Sequence, residues 1–259
     1  IITNSEEIKK QIQINGPDNI LCIFPTTSCF APRVYDNIQE IAKICKEYKI
    51  NHLVNNAYGI YCTKIVDMLN QSHKVGNIDV IISSTDKNFM VPIGGSVIYS
   101  SNGKLIDKIK KNYPGRASIS PLIDLFITIL EMGKNKYKQL IKDRKEKYDK
   151  LKTLMTKIAT NYGERILETP NNKISLAMTL GNICKDAKNK QDITKLGSLF
   201  YSRQISGIKI LAPSEAIDFN NYKFSNYGTH CENYHSLPYC AFAAAIGITD
   251  LEVIDDNID

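Results

Sequence analysis

The stretch IDVIISSTDKNFMVP, residues 78–92, decides the fold of this chain. Its first half is a continuous apolar run, which predicts a β-strand buried on both faces of a parallel sheet. We expect this strand to end at Ser83, so that Lys87 follows it closely. In open α/β sheets the site lies at the carboxyl ends of the strands. Lys87 is therefore the first candidate for chemistry.

Two earlier strands are predicted upstream of this one. Residues 19–24 and 52–55 have strand composition, and residues 36–49 between them have apolar side chains at helical spacing. Asp36 is the predicted N-cap of that helix. A second helix is expected over residues 62–71. This β-α-β pattern implies parallel strands joined by a right-handed crossover.

The pattern changes after a further predicted strand at residues 96–100. Asn102 should cap a basic helix that ends near residue 112, and Ser120 should begin a helix that Gly133 ends. A long amphipathic helix then runs to about residue 161.

Short strands and one helix follow Pro170. They are predicted at residues 175–180, 192–204 (the helix) and 207–211. The predicted fold class is therefore α/β. Residues 1–165 would form part of a large domain with a mostly parallel sheet, and residues 166–259 a small C-terminal α+β domain.

Composition limits the class of protein. The 259 residues carry a net charge of +6, which mildly favours a polyanionic partner. No apolar run is long enough to cross a bilayer, so no membrane association is expected. The seven cysteines are an odd number spread through apolar segments, which favours buried free thiols in a reducing compartment over a disulfide framework.

Apolar neighbours suggest the chemistry of Lys87. Partial desolvation beside Phe89 and Met90 favours the neutral amine, which is the nucleophilic form. We therefore interpret Lys87 as a Schiff-base lysine of a pyridoxal-phosphate enzyme. Asn55 and Asn56 end the preceding strand, where a polar side chain can reach the ring nitrogen of the cofactor, although Asn-Asn also favours a simple turn.

Other patterns allow competing interpretations. Ser84 to Lys87 matches the S-x-x-K motif of serine acyl-transferases, but the chain has neither Ser-Asp-Asn nor Lys-Thr-Gly. Arg116, on a Tyr-Pro-Gly turn, suits capture of a phosphate or carboxylate, or is a surface arginine. Four residues could suggest a metal site, but their spacing fits no zinc template and none is predicted: His230, Cys231, His235 and Cys240.

Long motifs in this chain resemble the O-phosphoseryl-tRNA(Sec) selenium transferases. The similarity covers residues 20–250 and is carried by runs along that length. They are PTTSCFAPR (25–33), VNNAYG (54–59), DKNFMVPIGG (86–95), YPGRAS (113–118), ISLAMTL (174–180), SRQISG (202–207) and AAAIG (243–247).

The resemblance implies a fold-type I pyridoxal-phosphate enzyme that works as a homotetramer. It implies that Lys87 forms the Schiff base and that Asn55 faces the pyridine nitrogen, where many relatives use Asp. Arg116 is implied to hold the phosphate of the phosphoseryl substrate, across a subunit boundary. Lys74 and Arg203 match positions that contact tRNA(Sec).

The implied activity is conversion of O-phosphoseryl-tRNA(Sec) to selenocysteinyl-tRNA(Sec) with selenophosphate, in the cytoplasm. The family's cofactor-phosphate loop and tRNA-binding amino-terminal helices precede the segment present here, so the isolated chain is expected to be inactive. A non-catalytic tRNA-binding fragment is the main alternative. Another fold-type I enzyme, such as a cysteine desulfurase, is disfavoured by the run at residues 113–118.

Overall fold

The computed structural model describes residues 3–27, 34–92, 94–113, 118–212, 216–225 and 237–248. The chain forms two compact units that divide between Lys142 and Asp143. We call residues 3–27 and 35–142 the N-terminal unit and residues from 143 onward the C-terminal unit. The division lies earlier than the domain boundary expected at residue 165, and the assignment of residues 1–165 to a cofactor-binding domain stays a prediction.

The N-terminal unit contains a four-stranded sheet. Its strands lie in chain order: β1 (Cys22–Ile23), β2 (Asn51–Asn55), β3 (Val80–Ser84) and β4 (Ser96–Tyr99). β1, β2 and β3 are parallel, which confirms the predicted mostly parallel sheet, whereas β4 is antiparallel to β3. The link from β3 to β4 is too short for the crossover that a parallel pair needs.

Helices supply the two parallel connections. α1 (Ser5–Asn15) precedes β1, α2 (Ile38–Tyr48) joins β1 to β2, and α3 (Thr63–Val75) joins β2 to β3. α2 buries one apolar face, as its periodicity predicts. α3 ends at Gly76, where an added Cβ would lie 2.2 Å from the backbone carbon of Ala42. Glycine thus allows the end of α3 to pack directly on α2.

The predicted N-cap of α2 is wrong by one residue. The Asn37 side chain caps the helix by accepting from the backbone amide of Glu40. The Asp36 carboxylate instead accepts at 2.7 Å from the Thr3 hydroxyl and at 2.7 Å from the backbone amide of Thr26. Asp36 therefore links Thr3 to the segment that follows β1.

Three helices complete the N-terminal unit. α4 (Thr85–Phe89) follows β3 directly, α5 (Gly103–Asn112) follows β4, and α6 (Ser120–Asn161) continues past the division between the units. Asn102 caps α5 as predicted. Gly133 has a non-helical backbone with φ 63° and ψ 169°, so the predicted interruption of α6 is confirmed.

The C-terminal unit is an α+β structure, as predicted. It contains β5 (Ser175–Thr179), α7 (Lys190–Ser202), β6 (Lys209–Leu211), a hairpin of β7 (Ile217–Phe219) and β8 (Tyr222–Phe224), and β9 (Tyr239–Ala243). β9 lies between β5 and β6 and is antiparallel to both. Leu151 and Met155 of α6 pack against Met178 and Phe242 of this sheet.

The cysteines in the described residues are free thiols, as predicted. Burial raises the pKa of Cys45 to about 12 and that of Cys240 to about 12. Both are therefore protonated and unreactive at neutral pH. No helix in the described part of the chain is long and apolar enough to cross a lipid bilayer.

His52 lies inside the N-terminal unit with no exposed surface. Its Nδ1 is 2.6 Å from the carbonyl oxygen of Asn77, which can only accept, so Nδ1 carries the proton. Its Nε2 is buried and has no hydrogen-bond partner among the described residues. Burial, which outweighs the opposing effects of Asn77 and Asp79, lowers the pKa of His52 below its ordinary value of 6.5.

The stability of the protein should therefore depend on pH through His52. Below about pH 6.5 the unfolded chain binds a proton that the folded chain resists, so the free energy of unfolding should fall by at most about 1.4 kcal/mol per pH unit. Denaturant unfolding at several pH values measures this slope. His52→Asn should reduce the slope, whereas His73→Asn, at an exposed position on α3, should not. An unchanged slope in His52→Asn would contradict the assignment.

Candidate active site

The carboxyl ends of β1, β2 and β3 meet at one edge of the sheet, as predicted. Thr26 forms a parallel bridge with Asn55, and Asn55 pairs with Ile82 of β3. Ser84 ends β3 two residues further on, and α4 begins at once. The three polar strand ends singled out in the sequence are therefore neighbours, except that Ser28 lies outside the described residues.

Lys87 lies in α4, three residues beyond the end of β3. Its Nζ is 3.2 Å from the Asp86 carboxylate and 3.4 Å from the Ser84 hydroxyl oxygen, and its side chain is 33% exposed. Nζ also lies 5.6 Å from the centre of the Tyr58 ring. Lys87 is thus a partly buried amine at the strand end, held by its own turn and by the segment that follows β2.

The side-chain amide of Asn55 has one group that no described residue binds, its Nδ2. Its Oδ1 accepts from the backbone amide of Ala57 at 3.1 Å. Its main chain is used by the sheet, with bonds to Pro25 and Thr27. Within the described residues its Nδ2 has no protein acceptor, and the side chain is half-buried. Asn55 can therefore donate a hydrogen bond to a ligand at this edge.

A buried polar cluster, which the sequence did not reveal, joins the strands beneath this edge. Asn56 has no exposed surface, and its Oδ1 accepts from the Thr27 hydroxyl at 2.7 Å. Its Nδ2 donates to the Ser83 hydroxyl at 3.3 Å and to Tyr99 at 3.2 Å. Thr27 and Ser83 are also fully buried. The cluster connects β3 and β4 to the ends of β1 and β2.

Asn88 makes a second buried connection. It has no exposed surface, and its Nδ2 donates to the carbonyls of Ala57 at 2.7 Å and Ser84 at 2.6 Å. Its Oδ1 accepts from the backbone amide of Ile60 at 3.1 Å. Asn88 thereby ties α4 to residues 57–60. Sequence reasoning missed it because an Asn after a candidate lysine has no distinguishing pattern of its own.

One feature of this geometry fits the S-x-x-K interpretation, the hydrogen bond between Ser84 and Lys87. Ser84 accepts a hydrogen bond from Lys87, but the two further motifs of that mechanism are absent from the sequence. The metal interpretation gains no support. Three of its four residues lie outside the described ranges, and Cys240 is a buried residue of β9 whose Sγ contacts the Met178 carbonyl at 3.6 Å. Across the described residues, no group of three metal-binding side chains is present.

The other predicted site residues lie elsewhere or cannot be placed. Arg116 is outside the described residues. Lys74 is exposed in the last turn of α3. Arg203 is exposed just after α7, where its guanidinium lies 3.5 Å from the carbonyl of Leu199 on its own helix. Lys74 belongs to the N-terminal unit and Arg203 to the C-terminal unit.

The fold is that of the fold-type I pyridoxal-phosphate-dependent transferases. The crystal structure of an archaeal O-phosphoseryl-tRNA(Sec) selenium transferase matches with a TM-score of 0.82 and 27% identity, covering 98% of this chain and 54% of that one. Oryza sativa TDC with PLP and tryptamine matches with a TM-score of 0.65 and 10% identity, covering 98% of this chain and 50% of that one, which shows the fold alone.

The sequence narrows this class to one family. The family model described as O-phosphoseryl-tRNA(Sec) selenium transferase, SepSecS, matches residues 1–257. The Dictyostelium discoideum protein of that name is 45% identical over 266 residues, covering 98% of this chain and 55% of that protein. This chain belongs to the O-phosphoseryl-tRNA(Sec) selenium transferase family. It spans about half the length of the curated relatives it matches.

A substitution at Gly59 tests how tightly the buried polar cluster around Asn56 is packed. A Cβ at this position would lie 1.8 Å from Asn56 Oδ1 and 2.7 Å from Ile65. Gly59→Ala must therefore displace Asn56 from its bond with Thr27, and we expect a loss of about 1–3 kcal/mol in unfolding free energy. Denaturant unfolding measures it. The control is Gly103→Ala, where the added carbon has no described atom within 4 Å apart from its chain neighbours and the backbone of its own helix. Equal stabilities of the two variants would argue against a rigid cluster.

Proposed function

We propose that this chain contributes the lysine-bearing part of the active site of an enzyme that converts O-phosphoseryl-tRNA(Sec) to selenocysteinyl-tRNA(Sec). The reaction uses pyridoxal 5'-phosphate as cofactor and selenophosphate as selenium donor. The observation that supports it most is the position of Lys87. It stands at the carboxyl end of β3, beside the segment that follows Asn55, in a chain of this family.

The residues at this edge fit the cofactor. Lys87 offers an amine for the cofactor aldehyde, and Asn55 offers a free Nδ2 as donor to the ring nitrogen. Asn55 Oδ1 accepts from the Ala57 amide, and the Nδ2 group is the part of the side chain that can donate to that nitrogen. When bound, pyridoxal phosphate supplies an electron-accepting ring.

Lys87 also has the second role that the reaction needs. The proposed chemistry removes a proton from the substrate Cα and phosphate from Cβ, after which the selenium of selenophosphate adds at Cβ and water cleaves the Se–P bond to release a second phosphate. A lysine amine displaced by the substrate amine is placed to take the Cα proton. Asp86, at 3.2 Å from Nζ, is placed to hold the ammonium that results. Arg116 is proposed to bind the substrate phosphate from a neighbouring subunit, because a guanidinium fork matches a phosphate.

Two exposed cations are proposed to contact tRNA(Sec). Lys74 projects from the last turn of α3 and is exposed, so its charge is available to a phosphate backbone. Lysine keeps the charge but lacks the fork of the arginine that the family can carry there. Arg203 is held only weakly by its own helix among the described residues, which leaves its guanidinium available to the acceptor end.

We propose that the protein is a homotetramer in the cytoplasm. An exposed apolar face at the start of α6 supports association with another subunit. Seven large apolar side chains there are between 44% and 66% exposed. A patch of this kind is typical of a surface covered by another subunit. They are Ile119, Leu122, Ile123, Phe126, Ile127, Ile129 and Leu130.

Covalent capture of the cofactor tests the proposed function. In the full-length protein with added pyridoxal phosphate, we expect a visible absorption band that borohydride abolishes. Borohydride should attach the cofactor covalently, and this label should be recovered on Lys87. In Lys87→Ala the band should be absent, and the turnover rate should fall at least about a hundredfold. Lys104→Ala, at an exposed position on α5, is the control. A parent protein without the band would overturn the enzyme proposal and favour the non-catalytic tRNA-binding alternative.

The neutral side chain at Asn55 gives an independent prediction. A carboxylate at this position would hold a proton on the ring nitrogen to higher pH, which strengthens the ring as an electron acceptor. Asn55→Asp in the full-length protein should therefore shift the pH dependence of the visible spectrum upward and change the elimination rate. Asn15→Asp makes the same charge change at an exposed position of α1 and should do neither. An unchanged spectrum and rate in Asn55→Asp would count against the Asn55 assignment.

A further inference from the structure

We infer that Asn88 is the positioning residue that sets the place of the Lys87 amine relative to the segment after Asn55. This inference rests on the proposed function, because it gives Asn88 a role in cofactor capture by Lys87. Asn88 itself has no exposed surface. It acts entirely through Lys87, its neighbour in the five-residue helix α4.

The hydrogen bonds of Asn88 run in two directions. One Nδ2 bond, to the Ser84 carbonyl at 2.6 Å, closes the turn of α4 against the end of β3. The other, to the Ala57 carbonyl at 2.7 Å, reaches a segment 31 residues earlier in the chain. Its Oδ1 accepts from the Ile60 amide at 3.1 Å in the same segment. Both hydrogens of the amide and its oxygen are therefore used, and they hold α4 at a fixed distance from residues 57–60.

Lys87 depends on this connection because its own contacts are local. Among the described residues, Nζ bonds only to Ser84 and Asp86, both in its own turn, and it lies 5.6 Å from the centre of the Tyr58 ring. Tyr58 lies between Ala57 and Ile60, the two residues that Asn88 binds. One buried amide thus fixes both the turn that carries the amine and the ring beside it. A helix as short as α4 cannot hold its own orientation, because isolated short helices are marginal.

Two substitutions separate positioning from bulk stability. Asn88→Asp is nearly isosteric, but an ionised carboxylate cannot donate to the carbonyls of Ala57 and Ser84. Asn88→Ala removes all three bonds. The matched control is Asn112→Ala on α5. Its Nδ2 donates to the carbonyl four residues earlier, that of Lys108, at 2.8 Å, and among the described residues it bonds no second segment.

The test is cofactor capture by the full-length protein. Titration of the visible band with pyridoxal phosphate gives an affinity, borohydride fixation gives the rate of labelling at Lys87, and the thermal midpoint of the cofactor-free protein reports stability. We expect both Asn88 variants to lose about tenfold or more in affinity and labelling rate, because small displacements of a reacting group are costly. Asn112→Ala should match the parent in both.

The outcomes distinguish this inference from the proposed function. If the parent protein is not labelled at Lys87, the proposed function fails first. If the parent is labelled and the folded Asn88 variants are labelled equally well, the positioning role is wrong. A lower thermal midpoint with unchanged affinity and labelling rate would mean a structural role only and would overturn it, as would failure of both variants to fold. Reduced capture in folded Asn88→Asp at a temperature below its midpoint supports it.

Discussion

The parallel register between β2 and β3 is the constraint on which the candidate site depends. Leu53, Val54 and Asn55 pair with Val80, Ile81 and Ile82 in turn. Side chains alternate between the faces of a strand, so a shift by one residue would move Asn55 to the opposite face and bring Asn56 to the site. The buried residues of both strands hold the register, because a shifted pairing would expose them. The face of the sheet on which the Asn55 side chain lies is therefore a consequence of core packing.

Side-chain amides of asparagine connect the strands beyond the point where backbone pairing ends. Backbone bonds align the strands but stop at their ends, where the chain leaves the sheet in different directions. Asn56 and Asn88 replace those bonds with side-chain bonds between the ends, and neither has exposed surface. Each such bond adds little net free energy to the folded state. Breaking one would leave a buried polar group without a partner, which costs about 1–3 kcal/mol. The strand ends are consequently joined by buried hydrogen bonds where the chemistry is proposed.

Much of this architecture could be predicted from the sequence. The buried run before Ser84, the helical spacing in α2 and the strand ends were sufficient for the parallel sheet and for Lys87 as candidate. The antiparallel direction of β4 was not predicted, because the composition of a strand does not indicate its direction. Only the short link between β3 and β4 indicates that direction. The cap of α2 was assigned to Asp36 instead of Asn37 because both are good caps, and a tertiary contact with Thr26 decided between them.

Asn56 and Asn88 were beyond the reach of pattern reading for a different reason. Their partners are distant in sequence: Asn56 reaches Tyr99, and Asn88 reaches Ala57. The only local hint was the Asn-Asn pair, which is as typical of turns as of sites. What the sequence does show, once the contacts are known, is the choice of neutral amides around the lysine. For the proposed phosphoseryl substrate, which carries negative charge, amides at positions 55, 56 and 88 avoid the repulsion that carboxylates would add. Among the described residues, Asp86 is the one acid that forms an ion pair with Lys87. Asn56 and Asn88 thus connect the strand ends at this edge without adding charge beside the proposed phosphate position.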